Sequence, residues 1–140
     1  MTGDRDLGQL LRHLAPSLHP ETFVFCSLPD FQVPPDVAPI CTLRETEGLS
    51  VIVEREQAVR AGIPHVFAAR LITLNVHSSL DAIGLLAVVA GRFAEAGVPC
   101  NVVAGYHHDH LFVPTHLAEE AMEMLKSLTR ERREAPSGSA

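Results

Sequence analysis

The spacing of apolar residues switches repeatedly between a helical and a two-residue period, and the switches outline the elements. Leu7, Leu10, Leu11 and Leu14 predict an opening helix that Asp6 and Gln9 begin and Pro16 ends. Thr22–Cys26 reads as a strand, followed by an irregular loop because Pro34, Pro35 and Pro39 remove donors and fix φ. Ile40–Glu45 and Leu49–Val53 predict a hairpin around Glu47-Gly48, and Glu54–Ala61 a short helix stopped by Gly62. Arg70–Val76 alternates, placing Ile72, Leu74 and Val76 on one face and Leu71, Thr73 and Asn75 on the other. A largely apolar helix is expected over Leu80–Ala96, with Gly84 and Gly91 on one face for close backbone packing. Strands Val98–Gly105 and His110–Val113 should flank a polar tip. Thr115 then caps a last helix with Leu117, Ala121, Met124, Leu125 and Leu128 as its stripe. From Thr129 the chain becomes charged and then small, which predicts a frayed tail over 129–140.

The two halves repeat the order strand, polar interruption, strand, helix at an offset of about sixty residues. Since a unit of about 60 residues is marginal alone, the halves should pack together or share sheet, with the strand at 70–76 as the bridge. This divides the chain into 1–66, 67–128 and the tail. The strand–helix–strand crossover at 70–105 should be right-handed with parallel strands, giving a ferredoxin-like α/β sandwich with antiparallel or mixed sheets and helices on one face.

Composition narrows the function classes. A 46% hydrophobic content with 20% charged residues supplies a globular interior. The net charge of −6 argues against a nucleic-acid surface, and an aromatic content of 5% leaves no stacking pair for an RNA-binding sheet. No basic leader and no apolar run of membrane length is visible. Cys26, Cys41 and Cys100 are odd in number and sit in apolar segments, as buried thiols of a reducing compartment do, so the cytoplasm is the expected location.

The turn His77–Gly84 is the first candidate site. Ser78 to Asp81 has capping-box spacing, so a helix N-terminus should follow a strand end and leave amides free for an anion. An α-carboxylate would sit against the N–H groups near Ala82, Ile83 and Gly84. Gly84 has no side chain to keep it off the backbone, Asp81 could meet an ammonium group, and Asn101 offers a donor and an acceptor. An ordinary capped turn with no ligand is the competing reading. The second candidate is the cluster His107, His108, Asp109 and His110. His108 and His110 could share a strand face as two zinc or nickel ligands, but a solvated hairpin tip is favoured because no metal signature is present. Neither a nucleophilic triad nor a nucleotide loop is signalled, and no cofactor is implied.

The segment Asp81-Ala82-Ile83-Gly84, followed by a helix and Gly97-Val98-Pro99-Cys100-Asn101-Val102, resembles the ACT domain family. That family's turn runs roughly Asp-x-Pro-Gly, with isoleucine here at the usual proline. The likeness to small two-unit members extends through Ile72–Leu80 and Cys100–Tyr106. It implies a ferredoxin-like ACT fold in two ACT-like halves, and a non-catalytic regulatory protein binding a small molecule, an amino acid above all. The implied ligand-binding set is His77, Ser78, Ser79, Asp81, Ala82, Ile83, Gly84, Leu85, Cys100 and Asn101. It also implies a homodimer or higher homo-oligomer through sheet edges. The alternatives are a structural or protein-interaction module without ligand, and a metal-binding protein using the histidines.

Overall fold

Asp6 closes the first turn of the chain's first helix, because its carboxylate accepts the Gln9 amide at 3.1 Å. In the computed structural model, which describes residue 3 and residues 5–134, this helix (α1) spans Leu7–Arg12. Ala15 at φ 46° then turns the chain into β1, Pro16–Leu28. That strand is 13 residues long and begins well before the expected Thr22. Proline suits a strand's first position, and Asn75 holds this end. Its amide and side-chain nitrogen donate to the Ala15 carbonyl at 3.2 and 2.8 Å, and the side chain also reaches Ser17 Oγ at 3.0 Å.

Contacts divide the chain into two units. One is Pro20–Arg70; the other combines the residues up to His19 with those from Leu71 onward. In the first, β2 (Cys41–Arg44) and β3 (Leu49–Glu54) form an antiparallel hairpin with Cys41 opposite Ile52 and Arg44 opposite Leu49. Glu45 and Gly48 exchange backbone hydrogen bonds at the turn, and a Cβ on Gly48 would lie 2.7 Å from the Leu28 carbonyl oxygen. β3 also pairs antiparallel with β1, from Phe23 opposite Glu54 to Leu28 opposite Leu49. Helix α2, Arg55–Ala61, ends on Gly62 in the left-handed region at φ 67°, as expected of that glycine. Gln57 pins the proline-rich loop by accepting the Ala38 amide at 2.7 Å. Val24, Val51, Val53 and Ala58 are the centre of this unit's core.

The second unit is built from β4 (Val66–Leu74, whose first residues belong to the other unit), α3 (Leu85–Glu95), β5 (Asn101–Ala104), β6 (Asp109–Pro114) and α4 (Ala118–Glu134). The strands follow the hydrogen-bonded order β2-β3-β1-β4-β6-β5. β6 therefore lies between the two strands that the α3 crossover joins, the interleaving of a ferredoxin-like sandwich. β5 and β6 pair antiparallel, Asn101 opposite Phe112 and Ala104 opposite Asp109. Helices α1, α3 and α4 pack on one another over a core that includes Leu10, Leu11, Ile72, Leu74, Phe93, Leu111 and Leu125.

Three expectations are corrected. The alternation at 70–76 does not separate a wet face from a dry one: Leu71, Ile72, Thr73 and Leu74 are all buried, as befits a central strand. The region after Thr129 is not frayed as far as Glu134. Leu128 is buried in the core, Arg92 grips Glu131 through two bonds (2.8 and 3.3 Å), and Arg133 Nε donates to the Arg12 carbonyl at 3.0 Å. Residues 135–140 lie outside the described residues. Finally, Gly91 serves no close packing, since a Cβ there would have nothing within 4 Å.

That last observation gives a stability prediction. Gly91→Ala adds a better helix former in open space and should raise unfolding free energy by about 0.5–1 kcal/mol. Urea denaturation followed by circular dichroism would measure it, and a loss of stability would contradict this packing.

Candidate functional site

A small contact decides the shape of the segment after β4. The Ser79 hydroxyl donates to the Asp81 carboxylate, Asp81 N–H returns to Ser79 Oγ at 3.4 Å, and Ala82 N–H donates to the Ser79 carbonyl at 3.0 Å. These bonds close a turn over 79–82. Asp81 thus serves Ser79 and does not complete a capping box with Ser78, so the helix does not start at Leu80 as expected. It starts at Leu85, after Gly84 adopts φ 98° as a cap with no side-chain hydrogen bond. The first helical bond is Val88 N–H to the Gly84 carbonyl at 3.0 Å. The amides of Leu85, Leu86 and Ala87 therefore have no partner within the helix. They replace the expected set near Ala82–Gly84, whose Ala82 amide is already used.

Beside this helix start lies a hollow of about 130 Å³, lined by Ser78, Ser79, Leu80, Ala82, Gly84, Leu85 and Leu86 and, from the β5–β6 hairpin, by Ala104, Gly105 and Asp109. Of the residues singled out from sequence, the fold brings Ser78, Ser79, Ala82, Gly84 and Leu85 to it. The others sit elsewhere. Asp81 is exposed and ion-paired with Arg5 at 3.3 Å; the Ser79 bond, more than Arg5, holds its carboxyl below the usual range. Ile83 is 85% exposed. The His77 ring packs against His107 at 5.4 Å and His108 at 6.3 Å between centroids. Cys100 packs against the core, where burial pushes its thiol up to about 11. Asn101 is exposed at the far end of β5, roughly 10 Å along the strand from Ala104 at about 3.3 Å per residue.

Asp109, which the sequence places with the hairpin-tip histidines, instead lines the hollow. The hairpin tip is confined to Gly105–His108, closed by Gly105 N–H to the His108 carbonyl at 2.9 Å. Asp109 already belongs to β6 and is only 8% exposed. Ser78 Oγ stands 3.5 Å from its Oδ2. Burial lifts its carboxyl above the ordinary range, while Ser78, His110 and His108 pull it partly back. The signal was available: Asp109, Leu111 and Val113 share one face by period two, and the latter two are obvious core residues.

The histidines are held by the protein itself. Thr73 Oγ1 lies 3.0 Å from His110 Nδ1 and 2.9 Å from His19 Nε2, and His108 Nδ1–H donates to the Val76 carbonyl at 3.3 Å. One hydroxyl proton serves only one imidazole, so the other ring must donate to Thr73. Burial first, and the like charges of His108 and His19 second, hold His110 below the usual histidine range. Among the described residues no group of three or more His, Cys, Asp or Glu side chains converges as a metal site.

A ferredoxin-like sandwich of two units, with a small polar hollow at a strand-to-helix turn, defines a class of small α/β domains. The comparisons with known proteins give the family. Residues 2–70 match the ACT domain and residues 66–127 match it a second time, so the chain belongs to the ACT domain family as a tandem. It is similar to a Vibrio cholerae protein of unknown function described as a possible transport protein. The two are 40% identical over 88% of this chain and 95% of that one, with a TM-score of 0.78. An Agrobacterium tumefaciens protein shares the fold at 15% identity (81% and 87% covered, TM-score 0.66). So does the regulatory subunit of aspartate kinase from Thermus flavus, at 11% identity (81% and 95% covered, TM-score 0.60). No curated protein matches the chain significantly. Among the described residues no helix is long and apolar enough to cross a membrane.

Asp109 makes the fold sensitive to pH. In the native protein it keeps its proton to higher pH than in the unfolded chain, so the fold is favoured while the carboxyl is protonated and loses stability as pH rises through the native value. Asp109→Asn should raise the melting temperature at neutral pH, with the gain vanishing below the ordinary aspartate range near pH 4. Thermal melts across pH 3 to 8 would check it. A variant less stable at pH 7 would show that the charged form is the one the fold wants.

Proposed function

We propose that this chain is a non-catalytic regulatory protein whose ligand is a small molecule, an amino acid, held in the hollow beside the start of α3. The observation that carries the reading is that Leu85 and Leu86, whose amides have no partner within the helix, line one small cavity together with Ser78 and Ser79. An α-carboxylate against Leu85 and Leu86 gains the hydrogen bonds the helix cannot make for itself. The helix dipole adds about 0.3–1 kcal/mol. At about 130 Å³ the hollow is well below the roughly 300–1,000 Å³ of drug-sized pockets, which favours a ligand of few atoms.

The tandem is read as two ACT-like halves, 1–66 and 67–128, with a homodimer or larger homo-oligomer formed through the edges at β2 and β5 and a cytoplasmic location. β2 and β5 end the strand order, and Leu43 on β2 is exposed, so these edges need cover. No cofactor, nucleic acid or membrane enters this reading. A second reading, a protein-interaction module, has a specific observation behind it: Leu80 and Ile83 are exposed apolar residues beside the hollow.

Isothermal titration with a panel of amino acids at millimolar concentration should give saturable heat. Ala104→Leu, which fills the hollow from an exposed strand position, should abolish that heat with unchanged circular dichroism. Silence across the whole panel would overturn the amino-acid reading, and heat that survives Ala104→Leu would move the site elsewhere. If the ligand bridges subunits, light scattering should show a larger mass and melting a higher temperature in its presence. Unchanged mass and melting temperature would leave the oligomer independent of ligand.

A further inference from the structure

The hollow has two chemically different ends. One is the first turn of α3, where Leu85 and Leu86 bring backbone donors to the lining. The other is Asp109, more than nine-tenths buried. Among the described residues, the carboxylate has one hydrogen bond, from Ser78 to Oδ2 at the outer limit of 3.5 Å. No lysine or arginine lines the hollow. The neighbouring imidazoles do not neutralise it by contact: His110 is engaged with Thr73 and His108 with the Val76 carbonyl. A largely buried carboxylate with one long hydrogen bond and no cationic side chain in the lining of its hollow is stabilised when a cation reaches it.

We propose that Asp109 recognises the ammonium group of a small α-amino acid with a short uncharged side chain, whose carboxylate meets the first turn of α3. This rests on the amino-acid reading above and names the charge class and size of the ligand. Each pole of a zwitterion then meets its complement, and charge-assisted hydrogen bonds form at both ends. The size follows from the walls. At about 130 Å³ the hollow is well below the roughly 300–1,000 Å³ of drug-sized pockets, which favours a short side chain. A dicarboxylic amino acid would bring a second negative group into a space that already holds Asp109. A ligand ammonium would also draw the carboxyl back from the raised value that burial gives it.

Calorimetry on the full chain tests this with glycine, L-alanine and L-serine against propionate, L-lactate, L-aspartate and L-leucine. The small amino acids should bind at least about tenfold more tightly than propionate or lactate, because only they supply the ammonium group. Asp109→Asn should weaken alanine binding by about ten- to hundredfold while leaving lactate unchanged or improved. Ser78→Ala, which keeps the carboxylate, should retain the preference for alanine over lactate. If the wild-type protein binds alanine and Asp109→Asn binds it equally well, the role of Asp109 falls and the amino-acid reading stands. Tight binding of aspartate or leucine but not alanine has the same consequence. If no amino acid binds, both fall. Should Asp109→Asn fail to fold, equal affinity of the wild type for alanine and propionate overturns the proposal on its own.

Discussion

One hydroxyl–carboxylate contact governs the site. Because Ser79 captures Asp81 within a tight turn, the helix that sequence spacing would start at Leu80 is held back to Leu85. The delay leaves five residues, 80–84, as a rim instead of a first helical turn. It also moves the unpaired amides inward, under the β5–β6 hairpin. Gly84 makes the change of direction possible: at φ 98° a side chain would be strained, and a Cβ would press Leu7 of α1 at 3.2 Å. The hollow is thus a by-product of where a helix is allowed to begin.

The opposite wall depends on the buried end of β6. Asp109 faces the same side as Leu111 and Val113, and Ser78 is the group that reaches it from the turn. On the other face of the sheet, His19, Thr73 and His110 form a chain of hydrogen bonds across three strands. The two groups titrate in opposite senses. Asp109 weakens the fold as pH rises through its raised native value, whereas His110, held low by burial, weakens it as pH falls below the unfolded histidine value. The charge state on this strand is coupled to stability from both sides.

Most elements were legible because their causes are local. The Asp6 cap, the Glu45–Gly48 turn and the left-handed Gly62 depend on a few neighbouring residues, and each was read from them; the first helix, expected to run to Pro16, ends earlier, at Arg12. The misreadings share another cause. The length of β1 depends on Asn75, some sixty residues away, gripping Ala15. The persistence of α4 to Glu134 depends on Arg92 and on the end of α1. Such partners lie too far apart in the chain for a local pattern to reveal them. Of the candidate residues, Ser78, Ser79, Ala82, Gly84 and Leu85 line one space, because they follow one another along a single turn. Cys100 and Asn101 were drawn in by family likeness, and the strand carries them away from it.

The sequence by itself determined the order of helices and strands and the two-fold repeat, because periodicity and turn chemistry act over short spans, and its likeness to the ACT domain family carried the membership. Only the tertiary structure decided which carboxylate faces the hollow. Asp81 and Asp109 have the same chemistry and lie near equally polar neighbours. One is turned out to Arg5 and water; the other is dragged inward by a strand whose next inward residues are core. Burial belongs to the assembled sheet, and burial is what makes the two acids different.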